Sequence, residues 1–195
     1  MSLDVGIVDI DESGTQGWAE YLCYGIDPYE KVPRRGKKGG TMLVDENGYR
    51  MRSACIMFDK LSKSRVLFIS SVSFAKSTEW ILPGGGIDSR ELASDAAVRE
   101  ALEESGVKGV INSFVGRIVD HQKRTHTLVY SAIACSHSER QGIWQFTDDE
   151  GNNRKVQFCS WDSIKSLLKV GEKETRLKNI TQYRLLRQVQ SRFFP

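Results

Sequence analysis

The chain has no apolar run approaching the roughly 18 residues that span a bilayer. Its start, MSLDVGIVDIDESG, lacks a basic segment followed by an apolar one. Membrane insertion and export are therefore not expected, and a soluble protein of the cytoplasm, or of the nucleus as well, is. Cysteine is sparse: Cys23, Cys55, Cys135 and Cys159 stand far apart with no C-x-x-C pair. That spacing points away from a disulfide scaffold and toward reduced, mostly buried thiols. A dominant charge is missing too, because 28 Lys and Arg against 25 Asp and Glu leave +3, too little to announce a nucleic-acid binder. There is no internal repeat and no low-complexity tract.

What is there is 195 residues, 39% apolar and 27% charged, enough for one buried core. Residues 1–47 differ from the rest: an acidic start leads into VPRRGKKGGT, rich in cations and glycine. They read as a partly ordered N-terminal extension, with Trp18 to Cys23 apolar enough to dock and the RRGKK stretch a solvated linker. Residues 48–195 read as the domain proper. RMRSACIMF and RVLFISSV predict two paired strands, and further strands are expected at Val110–Asp120, Thr127–Ala134 and Val156–Trp161. Leu92 to Ser105, rich in alanine and glutamate and closed by Gly106, predicts a helix. Trp161 to Leu168 has helical spacing, and a last helix is expected from about Asn179, with Tyr183, Leu186, Val189 and Phe193 on one stripe. The fold class is α/β (α+β), a mixed sheet with helices covering its faces.

The chemistry concentrates in WILPGGGIDSRELASDAAVREALEESGV, Trp80 to Val107. On a helix, Glu100, Glu103 and Glu104 stand at i, i+3 and i+4 and share one face, while Ala97, Val98, Ala101 and Leu102 occupy another sector. Like charges so placed oppose helix formation unless a cation sits among them. With no histidine or cysteine in the segment, the donors are oxygens that suit Mg²⁺, with Mn²⁺ as the alternative, and suit Zn²⁺ poorly. Gly84, Gly85 and Gly86 let backbone approach those acids closely. Arg99 can pair with Glu91 or Glu103 and brace them. The histidines, His121, His126 and His137, are expected at the surface or in loops.

Gly85, five residues, Glu91, seven residues, then Arg99-Glu100-Ala101-Leu102-Glu103-Glu104-Ser105-Gly106-Val107 resembles the Nudix box at every defined position. The resemblance implies a Nudix-type α/β/α sandwich and metal-dependent hydrolysis of a diphosphate linked to a further group. It implies Glu100, Glu104 and the Gly84 carbonyl as metal ligands, Glu103 as a further ligand or the base that handles water, and Glu91 and Arg99 in support. Either Glu103 or Glu104 could take the proton. From roughly Tyr49 to Leu168 the chain also looks like the diphosphoinositol polyphosphate phosphohydrolase branch, which cleaves diadenosine polyphosphates as well. The matching pieces are Arg50-Met-Arg52-Ser-Ala-Cys55, the serines Ser70 and Ser71, the segment from Asp120 to Tyr130, and Arg154-Lys155.

Ser73 stands where that branch has an arginine. The implied substrate contacts are Arg50, Arg52, Ser71, Ser73, Gly84 to Gly86, Lys123, Arg124, Arg154 and Lys155, forming a cationic bowl for a crowded polyphosphate. The alternatives are another nucleotide substrate such as capped RNA, and a Nudix fold that binds without turnover. The implied partner is a small-molecule polyphosphate, with no membrane and no obligate protein partner.

Overall fold

The computed structural model describes residues 8–10, 16–18, 32–35, 41–45, 47–60, 62–72, 79–88, 91–121, 123–137, 139–172 and 177–193. In chain order the strands among these residues are β1 (Val8–Ile10), β2 (Gln16–Trp18), β3 (Val32–Arg35), β4 (Thr41–Val44), β5 (Arg50–Phe58) and β6 (Arg65–Ser70). They continue with β7 (Trp80–Ile81), β8 (Gly84–Gly86), β9 (Gly109–Asp120), β10 (Thr125–Ala134), β11 (Trp144–Thr147) and β12 (Asn153–Ser160). The helices are α1 (Ala93–Ser105), α2 (Ile164–Leu167) and α3 (Leu177–Phe193).

Successive side chains of a strand point to opposite faces, and β5 and β6 are apolar on both. Cys55, Met57, Leu67 and Ile69 pack with Ala97 and Ala101 of α1. Ile56, Phe58, Val66 and Phe68 pack with Leu185, Leu186 and Val189 of α3. A sheet buried on both sides needs a helix on each, which is the three-layer sandwich observed. The strand order runs β11-β12-β6-β5-β10-β9-β1-β2. It is mixed: β10 runs parallel to β5 from Thr125↔Arg50 to Ile133↔Phe58 and antiparallel to β9. β5 and β6 meet at Phe58↔Val66, after which β5 takes β8 as its neighbour and β6 takes β7 and β12.

Several expectations change. The triple glycine forms not a loop but a short strand held by Arg52↔Gly86, Ser53↔Gly85 and Ala54↔Gly84. Trp161 to Leu168 forms a 3₁₀ turn, Trp161–Ser163, followed by one turn of α2, with Ile164 and Leu168 buried in the core, and the helix stops where Lys169 takes a left-handed φ of +53°. Arg34 and Arg35 of the expected RRGKK linker lie in β3, paired with β4, and β4 joins β5 at Val44↔Arg50. β1 lies parallel to β9.

His126 is not at the surface. It is 8% exposed, with Nδ1 2.8 Å from Asp45 Oδ2 and its ring stacked on Tyr49 at 4.9 Å. The last helix begins at Leu177 and turns Leu186 and Val189 inward as expected; the Phe193 side chain lies outside those described. Buried Gln182 accepts the Leu82 N–H at 2.7 Å and so ties α3 to the segment entering the glycine strand.

Candidate active site

Small residues decide where α1 sits. Ala96, Ala97 and Ala101 are fully buried against the sheet, and the adjoining sector of the helix, bearing Glu100, Glu103 and Glu104, is thereby brought against β8. Gly106, at φ +72°, ends the helix and donates its N–H to the Leu102 carbonyl. At β8 the glycines are required by space. A Cβ on Gly84 would stand 2.5 Å from the Ser53 carbonyl oxygen, and one on Gly85 2.2 Å from the carboxylate of Glu100. Glu100 therefore occupies the volume that a side chain at residue 85 would fill.

Arg99 braces the acids as its position suggested. Its Nε and Nη2 donate to Glu91 at 3.0 and 2.6 Å, its Nη1 to Glu100 at 3.0 Å and Glu103 at 2.8 Å, and its Nη2 also to the Gly86 carbonyl at 2.9 Å. One planar fork thus joins three carboxylates and the glycine strand. Glu104 is held from two sides: the Gly84 N–H donates to Oε2 at 2.9 Å and Arg154 Nη2 lies 2.8 Å from Oε1. The Gly84 carbonyl accepts Arg52 Nη2 at 2.9 Å.

These contacts enclose a cleft of about 290 Å³. Arg50, Arg52 and the three glycines form one wall and Glu100, Glu103 and Glu104 another, with Arg154 between them and a third wall. That third wall is Asp148, Asp149 and Glu150, the turn between β11 and β12, which no motif in the sequence marks. The available signal was an acidic run followed at Gly151 and Asn152 by turn residues, six positions ahead of an arginine expected in the site.

Other expected contacts sit elsewhere. Among the described residues the cleft lining does not include Ser71, Lys123, Arg124 or Lys155. Lys155 alternates with Arg154 along β12 and is exposed where Arg154 is buried. Lys123 pairs with Asp120 at 3.3 Å, and Arg124 lies over the Tyr49 ring and donates to the Asn47 carbonyl. Ser71 donates its backbone N–H to Glu79, while Ser70 offers its carbonyl to Arg154 Nη1 at 3.2 Å. Ser73 lies outside the described residues.

Burial pushes the Glu104 carboxyl up to about 7, against the pull of Arg154 and the Gly84 N–H, and also raises Glu100 against the pull of Arg99. Burial, then the like charge of Arg50, lowers Arg52. A cation at the glutamates and an anion at the arginines would each relieve an unfavourable charge. The donor set, carboxylates and a carbonyl without nitrogen or sulfur, fits a hard divalent ion. Among the described residues no three carboxylates close around one point. Glu100, Glu103 and Glu104 are instead parted among Arg99 and Arg154, which hold them facing the cleft.

The NUDIX domain family model matches residues 48–183. Diphosphoinositol polyphosphate phosphohydrolase 2 of Homo sapiens is 33% identical over 135 residues, covering 69% of this chain and 69% of that protein. Diphosphoinositol polyphosphate phosphohydrolase 3-beta of Bos taurus is likewise 33% identical over 135 residues, covering 69% of this chain and 76% of that protein. A crystal structure of a NUDIX hydrolase from Nitrosomonas europaea aligns with a TM-score of 0.49 and 15% identity, over 87% of this chain and 93% of that one. With a family model spanning most of its length and relatives identical at a third of the aligned positions, this chain belongs to the Nudix hydrolase family.

Proposed function

We propose that the protein hydrolyses a phosphoanhydride bond in diphosphoinositol polyphosphates and, with less discrimination, in diadenosine polyphosphates. Mg²⁺ or Mn²⁺ would be held by Glu100, Glu104 and the Gly84 carbonyl, with Glu103 adjoining. The observation that carries this reading is the cleft itself, where two arginines on one strand face three glutamates on one helix turn across the glycine strand. A divalent ion there supplies charge neutralisation and polarisation of a phosphoryl oxygen.

The remaining work falls to side chains. Arg50 and Arg52 take phosphate oxygens and orient the anhydride. Glu103, the most exposed of the three glutamates at 34%, accepts the proton of the attacking water, while Arg99 fixes its carboxylate. Glu91 keeps Arg99 aligned. No aromatic ring lines the cleft among the described residues, so a nucleobase finds no stacking surface there. That ranks an inositol ring above a dinucleotide or capped RNA, in keeping with the inositol substrates in the names of the relatives.

The test is incubation of the full chain with Mg²⁺ and a diphosphoinositol pentakisphosphate, diadenosine polyphosphates and capped RNA, reading released phosphate and nucleotide. Highest kcat/KM on the inositol substrate is expected. Preference for a nucleotide would overturn the ranking, and no turnover of any of them would favour a binding module.

A further inference from the structure

Arg154 occupies an unusual position for a substrate-binding cation. It is 8% exposed and divides its guanidinium among three elements: Nη2 to Glu104 on α1, Nη1 to the Ser70 carbonyl at the end of β6, and Nε to Asp148 Oδ2 at 2.8 Å. Asp148 is equally buried and strongly held. Its Oδ1 accepts the backbone N–H of Asn152 at 2.7 Å and of Glu150 at 3.1 Å, and its Oδ2 also accepts Asn152 Nδ2 at 3.1 Å. The carboxylate that folds the β11–β12 turn is thus the one that grips Arg154 by its stem side.

Charge arithmetic gives this arrangement a purpose. Arg154 and Glu104 alone, both largely withdrawn from water, would form a closed one-to-one pair with nothing to gain from a further cation. With Asp148 added, one guanidinium faces two carboxyl groups, so the charge of Arg154 is answered by Asp148 and not by Glu104 alone. We infer that Asp148 is a positioning residue, a fixed counter-charge that carries Arg154 so that Glu104 is left able to take a divalent ion. This rests on the metal reading above. When Glu104 turns to the ion, Arg154 stays anchored through Nε, and its freed Nη2 is left facing the cleft, where a phosphate oxygen of the substrate can accept from it.

The test uses the full chain without substrate and Mn²⁺ as the probe, with affinity read by titration calorimetry. If the wild type binds no Mn²⁺, the metal reading itself fails. Given wild-type binding, Asp148→Asn keeps an acceptor for Nε but removes the charge, leaving Arg154 to compete for Glu104. Mn²⁺ affinity is then expected to fall roughly tenfold or more. Asp149→Asn, which removes a neighbouring cleft carboxylate that does not grip Arg154, is expected to change it far less.

Adding Arg154→Gln to Asp148→Asn removes the competitor and is expected to restore affinity to the wild-type level or above. The inference is overturned if Asp148→Asn binds like the wild type, if Asp149→Asn weakens binding as much, or if the double variant stays as weak as the single one. Should Asp148→Asn lose its near-UV circular dichroism, Arg154→Gln alone decides. Tighter Mn²⁺ binding supports the counter-charge, and equal or weaker binding overturns it.

Discussion

A Cβ on Gly85 would fall on the Glu100 carboxylate, yet the backbone there is not left-handed, so alanine is tolerated by the chain and refused only by its neighbour. Gly85→Ala is expected to keep the fold while swinging Glu100 out of its seat, weakening Mn²⁺ binding roughly tenfold or more in a calorimetric titration. Glu103→Gln is expected to lower kcat on the order of 10²-fold to 10⁴-fold with an unchanged melting temperature; near-normal kcat would remove Glu103 from its role. Burial pushes the thiols of Cys55 and Cys159 up to about 12 and about 11, so iodoacetamide at pH 8 should modify exposed Cys135 well before either, as read by peptide mass mapping. At this scale the sequence disclosed groups whose spacing is a signature: Glu91, Arg99 and the three glutamates. Asp148 escaped because its role depends on a turn that brings it beside Arg154, and His126 because its partner, Asp45, lies far away in sequence.

Helix α1 lies close to the sheet because its inner face carries little more than methyl groups, and that closeness brings the glutamates to β8. Ala101→Leu, at a position with no exposed surface, is expected to cost about 1–3 kcal/mol in urea denaturation. It should also lower turnover, since a helix pushed outward carries the carboxylates with it. The elements readable in advance were those with a period: α1, α3 and the apolar strands. β8 was unreadable because three glycines have no strand preference of their own; β5 imposes the conformation by pairing. The helical spacing from Trp161 to Leu168 was readable, but not that its first turn would be 3₁₀, which apolar spacing does not distinguish.

Across the whole molecule, the raised carboxyls make stability depend on pH in a direction opposite to that of an ordinary ion-paired acid. Glu104 titrates at about 7 in the fold against 4.5 in the unfolded chain, and Glu100 is shifted the same way. Between those values the folded state binds more protons, so the metal-free protein should lose stability as the pH rises from about 4.5 to 7. Asp148, which its hydrogen bonds to Arg154 and Asn152 hold below the usual carboxylate range despite burial, contributes with opposite sign at pH below about 4. A bound divalent ion would remove the penalty, so the gain in melting temperature from Mg²⁺ should be larger at pH 8 than at pH 5.5 in a thermal scan.

The pairing of Asp45 with His126 bears on where this protein can be cut. A fragment starting at Gly48, where the family match begins, would amputate the acid beneath the imidazole and pull Leu43 out from between Met51, Ile87 and Leu128. The family's own boundary would then open a wound in the floor beside α1, and such a fragment should melt well below the intact chain.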